Sequence, residues 1–398
     1  MSAERPRRIK ITRFFLQFIA DERTGGLFLL LAASVSIAIA NSGFGPAYIN
    51  FWHYRLDFSF VGLPLRYSIA EWINDGLMTV FFLLVGLEIE RELYKGELSG
   101  TRNALLPVFA AIGGMILPAC IHLTLNAGTP TQSGFGIPVA TDIAFSLGVL
   151  SLLGRRVPVS LKVFLTALAI IDDLGAIIVI AFFYARNLSY LFLAAGLAVF
   201  ATMLILNRLK VYKIAPYLVG GILMWLFMLK SGVHPTITGV LLAFAIPFQN
   251  GDKSSPSTRV LRFLNRPVPF LVIPIFVLVN TAMGFSHGWD AKLITHNTLG
   301  VFAGLVLGKP AGILFFSMIA VKSGLCGLPQ DINWKHVGGI GILGGVGFTM
   351  SIFITNLAFT DNHLIITSKM AVFAASLVSS IAGLALLRSN PAIDRKVE

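Results

Sequence analysis

Two adjacent carboxylates, Asp172 and Asp173, lie near the middle of an apolar run from about Val163 to Phe183 that is long enough to cross a bilayer. A carboxylate at that depth costs a few kcal/mol or more, so the pair is read as an ion or proton site. A structural pair that only hydrogen-bonds a neighbour is the competing reading, but a single Asn would serve that purpose. Thr141 and Asp142 form a second polar point within an apolar run, following Gly134, Gly136 and Pro138. Lys309 is a third. In this reading it is the one basic residue at membrane depth, and a lone ammonium there needs a partner: Asp142, the Asp172–Asp173 pair, or the C-terminal end of a half-helix. A hard monovalent cation wants oxygen ligands. Carboxylates, the Thr141 hydroxyl and freed backbone carbonyls would supply them. If protons compete for the same oxygens, binding one expels the other, and with alternating access that competition is antiport.

These residues need a scaffold of membrane helices. The chain has 398 residues, 56% hydrophobic and only 13% charged, against about a quarter charged in soluble domains. Its mean hydropathy is +0.80. Apolar runs recur near 25–43, 72–92, 104–126, 135–153, 161–184, 190–207, 214–229, 233–248, 267–285, 298–320, 336–358 and 365–387, giving about twelve spans. Of the 31 Lys and Arg residues, 24 fall in the inner loops and only six in the outer ones if the N-terminus is inside, which places both termini in the cytoplasm. Lys369 is assigned to an outer loop on this count. The net charge of +12 does not point to nucleic acid, because the charges are scattered among short loops without a basic stripe. Cys120 and Cys326 alone give neither a disulfide framework nor metal-ligand spacing.

Residues 1–24 are basic and partly amphipathic, as for a segment lying on the cytoplasmic membrane surface. The loop 46–67 is read as an outer-face β-hairpin with strands at Tyr54–Phe60 and Leu63–Tyr67 around Val61–Gly62. An isolated hairpin is marginal in water, so it is expected to pair with a second copy.

The fourth and eleventh runs are too rich in Gly and Pro for continuous helices, and the eleventh contains Gly344, Gly345 and Gly347. One interrupted span in each half of a chain points to an inverted-repeat transporter. Two motif matches carry no chemistry. Gly339-Ile340-Gly341-Ile342-Leu343-Gly344 has the GxGxxG spacing but lies in an apolar run without a βαβ context, and Gly308-Lys309-Pro310 lacks the Ser/Thr of a phosphate loop.

Several stretches together resemble the bacterial NhaA family of sodium/proton antiporters. They are Ala169-Ile170-Ile171-Asp172-Asp173-Leu174-Gly175-Ala176, Ala140-Thr141-Asp142-Ile143-Ala144-Phe145, Trp72-Ile73-Asn74-Asp75-Gly76-Leu77-Met78, Phe81-Phe82-Leu83-Leu84-Val85-Gly86-Leu87-Glu88, Lys230-Ser231-Gly232-Val233-His234, Gly308-Lys309-Pro310 and Gly347-Phe348-Thr349-Met350-Ser351-Ile352-Phe353. That family is itself an example of inverted-repeat architecture, so the two readings are not independent.

The resemblance implies an all-α integral membrane fold of about twelve helices with inverted repeats, forming one transporter domain over residues 1–398, whose fourth and eleventh spans are unwound and cross at mid-membrane. It implies that Asp173 is the main ligand of the transported sodium, and that Asp172 exchanges a proton or pairs with Lys309. Asp142 and Thr141 would sit at the crossing, with Asp142 offsetting half-helix dipoles. Asp75 would lie at the outer end of the second span, Glu88 and Glu92 would line a cytoplasmic funnel and tune the pH response, and His234 would contribute near a helix start. Sodium, lithium and protons are the implied partners, in a multi-pass homodimer of the bacterial inner membrane, with no cofactor. One departure concerns the segment entering span nine, Arg259 to Arg266, which is basic where the family often places an acidic pH-response residue. A sodium-coupled solute symporter and an intramembrane aspartyl protease are the rival readings. The protease is disfavoured because the acids are adjacent on one helix and Lys309 would spoil a shared-proton dyad.

Overall fold

The computed structural model describes residues 22–59, 65–96, 101–154, 157–249, 251–252, 254–284 and 294–389. The basic surface segment and the Val61–Gly62 turn therefore lie outside the described residues, apart from a helical start at Glu22.

The apolar runs fold as helices in the expected order: α1 Glu22–Ala40, α2 Gly45–His53, α3 Ile69–Lys95, α4 Thr101–Leu125, α5 Ile143–Ser151, α6 Val159–Phe183, α7 Tyr190–Arg208, α8 Ala215–Ser231, α9 Ile237–Ala245, α10 Pro256–Asn280, α11 His296–Lys322, α12 Trp334–Gly344, α13 Phe348–Ala358 and α14 Asn362–Ser389. By length and composition, 7 of the described helices can cross a membrane alone, and up to 9 spans result if each bent pair counts as one. The shortfall from twelve is physical. The fourth run holds only the short α5, the eighth only the 9-residue α9, and the seventh the 17-residue α8.

Successive helices run between two ends of the bundle. One end carries the hairpin; the other carries Arg91, Lys95, Arg208, Arg262 and Lys322. In the hairpin, β1 (Arg55–Asp57) pairs antiparallel with β2 (Arg66–Ser68), Leu56 opposite Tyr67. The pairing continues with the Phe58 amide donating to the Leu65 carbonyl, and the loop before the strands contains α2, whose Pro46 at the helix start suits an amide that would lack a partner anyway. Ser68 closes the hairpin by capping α3, accepting from the Glu71 amide while Glu71 accepts from the Ser68 amide. Trp72 then packs edge-on against Phe58 and Tyr67 and stacks on Trp225 of α8, tying the hairpin to the bundle.

The helices pack as two groups. In the first, α4 lies against α6 and α11, and α14 against α11, α12 and α13; in the second, α3 packs on α9, and α8 on α7 and α9. Helix α1 touches both groups through α5 and α10. The tightest approach is between α4 and α11. A Cβ at Gly312 would lie 2.0 Å from the Gly113 carbonyl oxygen, and one at Gly113 would lie 2.2 Å from that of Gly312. Close approach through small residues is how helices gain packing energy in lipid, where burial from water gives none.

Helix α10 corrects the ninth span. It starts at Pro256, well before the apolar run, because Ser255 caps it by accepting from Thr258 and its first turns are amphipathic, burying Val260, Leu261 and Leu264. Lys369 corrects the charge map. It is not in a loop but inside α14, 8% exposed, with its ammonium 3.3 Å from Asn280 Oδ1. Lys309 is therefore one of two buried lysines among the described residues.

Candidate functional site at the crossing of two broken helices

The fourth run breaks as a 3₁₀ turn over Pro130–Gly136, then an extended stretch through Thr141–Asp142, then α5. The eleventh breaks at Gly345–Gly347, with α12 and α13 bent by 44°. Neither Gly345 nor Gly347 has a positive φ; close approach accounts for them. A Cβ at Gly345 would lie 2.4 Å from the Leu305 carbonyl oxygen, and one at Gly347 2.2 Å from Ser351 Oγ.

Breaking a helix in lipid orphans backbone groups, and each broken span here satisfies the other's. The Asp142 amide donates to the Val346 carbonyl at 2.7 Å and the Ser146 hydroxyl to the Leu343 carbonyl at 3.0 Å. In return, the Ser351 hydroxyl donates to the Ile137 carbonyl at 2.6 Å.

Asp142 joins the two half-helices through one carboxylate. Its Oδ1 accepts from the Phe145 amide at 2.9 Å, capping α5, while its Oδ2 accepts from the Thr349 amide at 3.0 Å and hydroxyl at 2.7 Å in the first turn of α13. A single negative charge thus faces the positive ends of two helix dipoles. Thr349 lies within a quoted motif, but sequence reasoning gave it no role; its partner is 207 positions away.

Thr141 connects the crossing to the acid pair. Its hydroxyl lies 2.7 Å from Asp172 Oδ2 and 3.0 Å from the Gly344 carbonyl, so its one proton is shared between them. Lys309 also faces Asp172, with Nζ 2.9 Å from Oδ2, and donates to the carbonyl of Val139 as well. Of the three partners left open for Lys309, the structure selects Asp172 and a backbone carbonyl. Both ion-pair side chains are fully buried.

The adjacent acids point different ways, as the ~100° step between helix neighbours requires. Asp172 Oδ1 and Asp173 Oδ1 are both buried without a hydrogen-bond partner among the described residues. Asp173 is buried on a helix that packs against α3, α5 and α12. Unpartnered buried carboxylate oxygens are costly, and they are the donor type that a hard cation or a proton satisfies.

The remaining predicted residues divide between the two ends. Glu88 and Glu92 lie on α3 toward its basic end, where Glu92 pairs with Arg91 at 3.1 Å, and Lys95 reaches Asp252 at 3.4 Å. His234 sits with Asp75 near the hairpin end, Nε2 to Oδ1 3.6 Å, with its ring edge-on to Phe353. The Asp75 carbonyl accepts from Thr79 and from the Trp225 indole, so the π-helical turn Ile73–Leu77 is held by side chains.

The sequence profile of the Na+/H+ antiporter 1 family matches residues 16–387. The chain is 58% identical over 378 residues to the Na(+)/H(+) antiporter NhaA of Dechloromonas aromatica, covering 94% of this chain and 95% of that protein. It is 53% identical to the Na(+)/H(+) antiporter NhaA 1 of Flavobacterium johnsoniae (96% and 98% covered) and 46% identical to the Na(+)/H(+) antiporter NhaA of Bordetella parapertussis (95% and 96% covered). With two broken helices crossing beside a buried Asp–Asp–Lys cluster and likeness along almost its whole length, the chain belongs to the Na+/H+ antiporter 1 family, whose members are transporters and not enzymes.

Proposed function

We propose that this protein exchanges sodium, and lithium, for protons across a bacterial inner membrane by alternating access. The observation that carries the reading is the acid pair itself: two buried carboxylates, each with an unpartnered oxygen, one of them held by Lys309 and Thr141 at a helix crossing. In the cycle, a cation entering between Asp173 and Asp172 takes oxygen ligands from both. Oxygens of Thr141 and of the carbonyls freed by the helix breaks complete its shell. Proton release accompanies its arrival, because a carboxylate oxygen cannot hold a proton and a cation at once. Asp173 is the principal ligand. Asp172 alternates between the cation, a proton and the Lys309 ammonium. If more protons leave than cations enter, the exchange is electrogenic.

Asp142 holds the crossing together. Glu88 and Glu92 form the cytoplasmic approach and tune the response to pH, and His234 with Asp75 acts at the opposite end. The basic end faces the cytoplasm, because Lys and Arg are retained on that side. Both termini are then cytoplasmic, and the hairpin faces outward, where its free edges join a second copy in a homodimer. No resident cofactor is required.

The test uses everted vesicles holding a proton gradient. Adding sodium at pH 8 dissipates the gradient if the reading holds; no dissipation, in vesicles shown to contain folded protein, refutes it. Labelled-solute uptake driven by sodium would instead establish a symporter.

A further inference from the structure

Asn280, the last residue of α10, has an amide used to capacity. Its Nδ2 donates to Asn74 Oδ1 at 2.8 Å and to the Phe276 carbonyl at 2.9 Å; its Oδ1 accepts from Asn356 Nδ2 at 2.6 Å and from Lys369 Nζ at 3.3 Å. Asn280 is 3% and Lys369 8% exposed. Four polar side chains, one of them cationic, are costly to enclose at a helix-bundle interface, and such groups within membrane helices mark transport machinery by default. None of the four belongs to the acid-pair site.

Their distribution gives them a task. Asn356 lies on α13 and Lys369 on α14, helices of the group that holds the site; Asn74 lies on α3 and Asn280 on α10, in the other group. Asn356 follows Thr349 by seven residues on α13, roughly 10 Å along the axis. Thr349 is bonded to Asp142, so one short helix carries a site contact at one end and an interface contact at the other. Between the two lies Phe353, packed on Phe82 and Phe276, all three at most 1% exposed.

We infer that the Asn74–Asn280–Asn356–Lys369 network is a latch that closes the hairpin end over the aromatic plug, and that it must part for the site to open toward that end. Neutral amides with one ammonium suit a latch that has to break in every cycle. Each bond contributes modestly, and water can replace it once the interface separates. A Cβ-packed apolar contact would instead leave no polar groups to be hydrated in the open state. This inference rests on alternating access, and its experiment has an arm that does not.

In a chain carrying Cys120→Ser and Cys326→Ser, Asn280→Cys with Asn356→Cys places two thiols across the interface. In proteoliposomes, a short reducible bifunctional thiol cross-linker that joins them is expected to lower sodium-driven proton flux by about tenfold or more, and a reductant to restore it. Undiminished flux in cross-linked protein overturns the latch and leaves antiport standing. The second arm needs no transport. Thr355→Cys, at a buried position next to Asn356 on α13, is labelled by a membrane-impermeant thiol reagent applied from the hairpin side. Adding Asn280→Ala is expected to raise the labelling rate on the order of tenfold by shifting the population toward the open form. An unchanged rate overturns the latch even if antiport itself fails.

Discussion

Replacing Gly312 by Ala tests how the scaffold sets the charge geometry of the site. Gly312 lies three residues beyond Lys309 on α11, within one turn along the same helix. A methyl at Gly312 would sit 2.0 Å from the Gly113 carbonyl oxygen, so α11 must retreat by at least about 1 Å before the contact is tolerable. If Lys309 moves with its helix, its 2.9 Å contact to Asp172 lengthens to about 3.9 Å, which removes about a quarter of the Coulomb attraction. Overpacking of this kind costs about 1–3 kcal/mol, against the roughly 0.5–1 kcal/mol that Ala gains over Gly in a helix interior. The expected outcome is lower thermal stability in detergent together with slowed sodium-driven proton flux in proteoliposomes. Gly338→Ala is the control, because a methyl there meets only Leu314 and Leu386 side-chain atoms at 3.8 Å or more. That variant should match or slightly exceed the parent in stability. Gly312→Ala behaving like Gly338→Ala in both assays would refute the argument that helix approach positions Lys309.

Asp173→Asn is expected to abolish exchange while leaving the protein folded, since it removes the charge but preserves shape; parent-like flux would take Asp173 out of the site. Asp142→Asn keeps one acceptor but loses the charge and the second acceptor facing the two half-helices, so stability should fall by about 1–2 kcal/mol, read as the shift in thermal inactivation. An unshifted inactivation temperature would contradict the double cap. In the hairpin, hydrogen bonds from the Ser59 side chain and amide hold the Asp57 carboxyl below the usual carboxylate range. A lowered folded-state value means that its contribution is present above the ordinary carboxylate value and is lost as pH falls through the lowered one. Hydrogen exchange at the Ser59 amide, corrected for its intrinsic pH dependence, should therefore lose protection in acid, and Asp57→Asn should remove that change.

The membrane character, the order of the helices, the two interruptions and the polar residues at depth were legible because each is a local property of sequence. Partners were not. Nothing in the sequence ties Asp142 to Thr349, and only the family resemblance, not the local pattern, singles out Asp172 over Asp173 as the residue facing Lys309, since both contacts depend on where two broken helices cross. Lys369 misled for a related reason. Charge counting assigns a residue near the start of an apolar run to the adjoining loop, but α14 starts at Asn362 and carries Lys369 into the bundle. The signal was present in Asn74, Asn280 and Asn356, three amides within apolar runs that can satisfy an ammonium at depth. Helix α2 was hidden by the alternation that follows it in the same loop. The amphipathic start of α10 was hidden by its Arg residues, which read as loop until their apolar neighbours are seen to be buried.

The arrangement of bonds at the acid pair bears on why exchange, rather than simple binding, follows from this site. Asp172 has one oxygen engaged by both Lys309 and Thr141 and the other engaged by none of the described residues, so it is neither a saturated structural ion pair nor a free acid. In the proposed cycle, a cation arriving at the free oxygen would compete with Lys309 for the charge of the same carboxylate. A proton arriving there does so more completely, by neutralising it. Thr141 transmits either event to the crossing, because the proton it shares between Asp172 and the Gly344 carbonyl shifts toward whichever acceptor is the stronger. Gly344 ends α12, and Asp142, next to Thr141, holds the start of α13. In the proposed cycle, occupancy of the acid pair would thereby be coupled to the hydrogen bonds that join the two half-helices. A site with the same acids but a saturated Asp172 would bind its ion without that coupling.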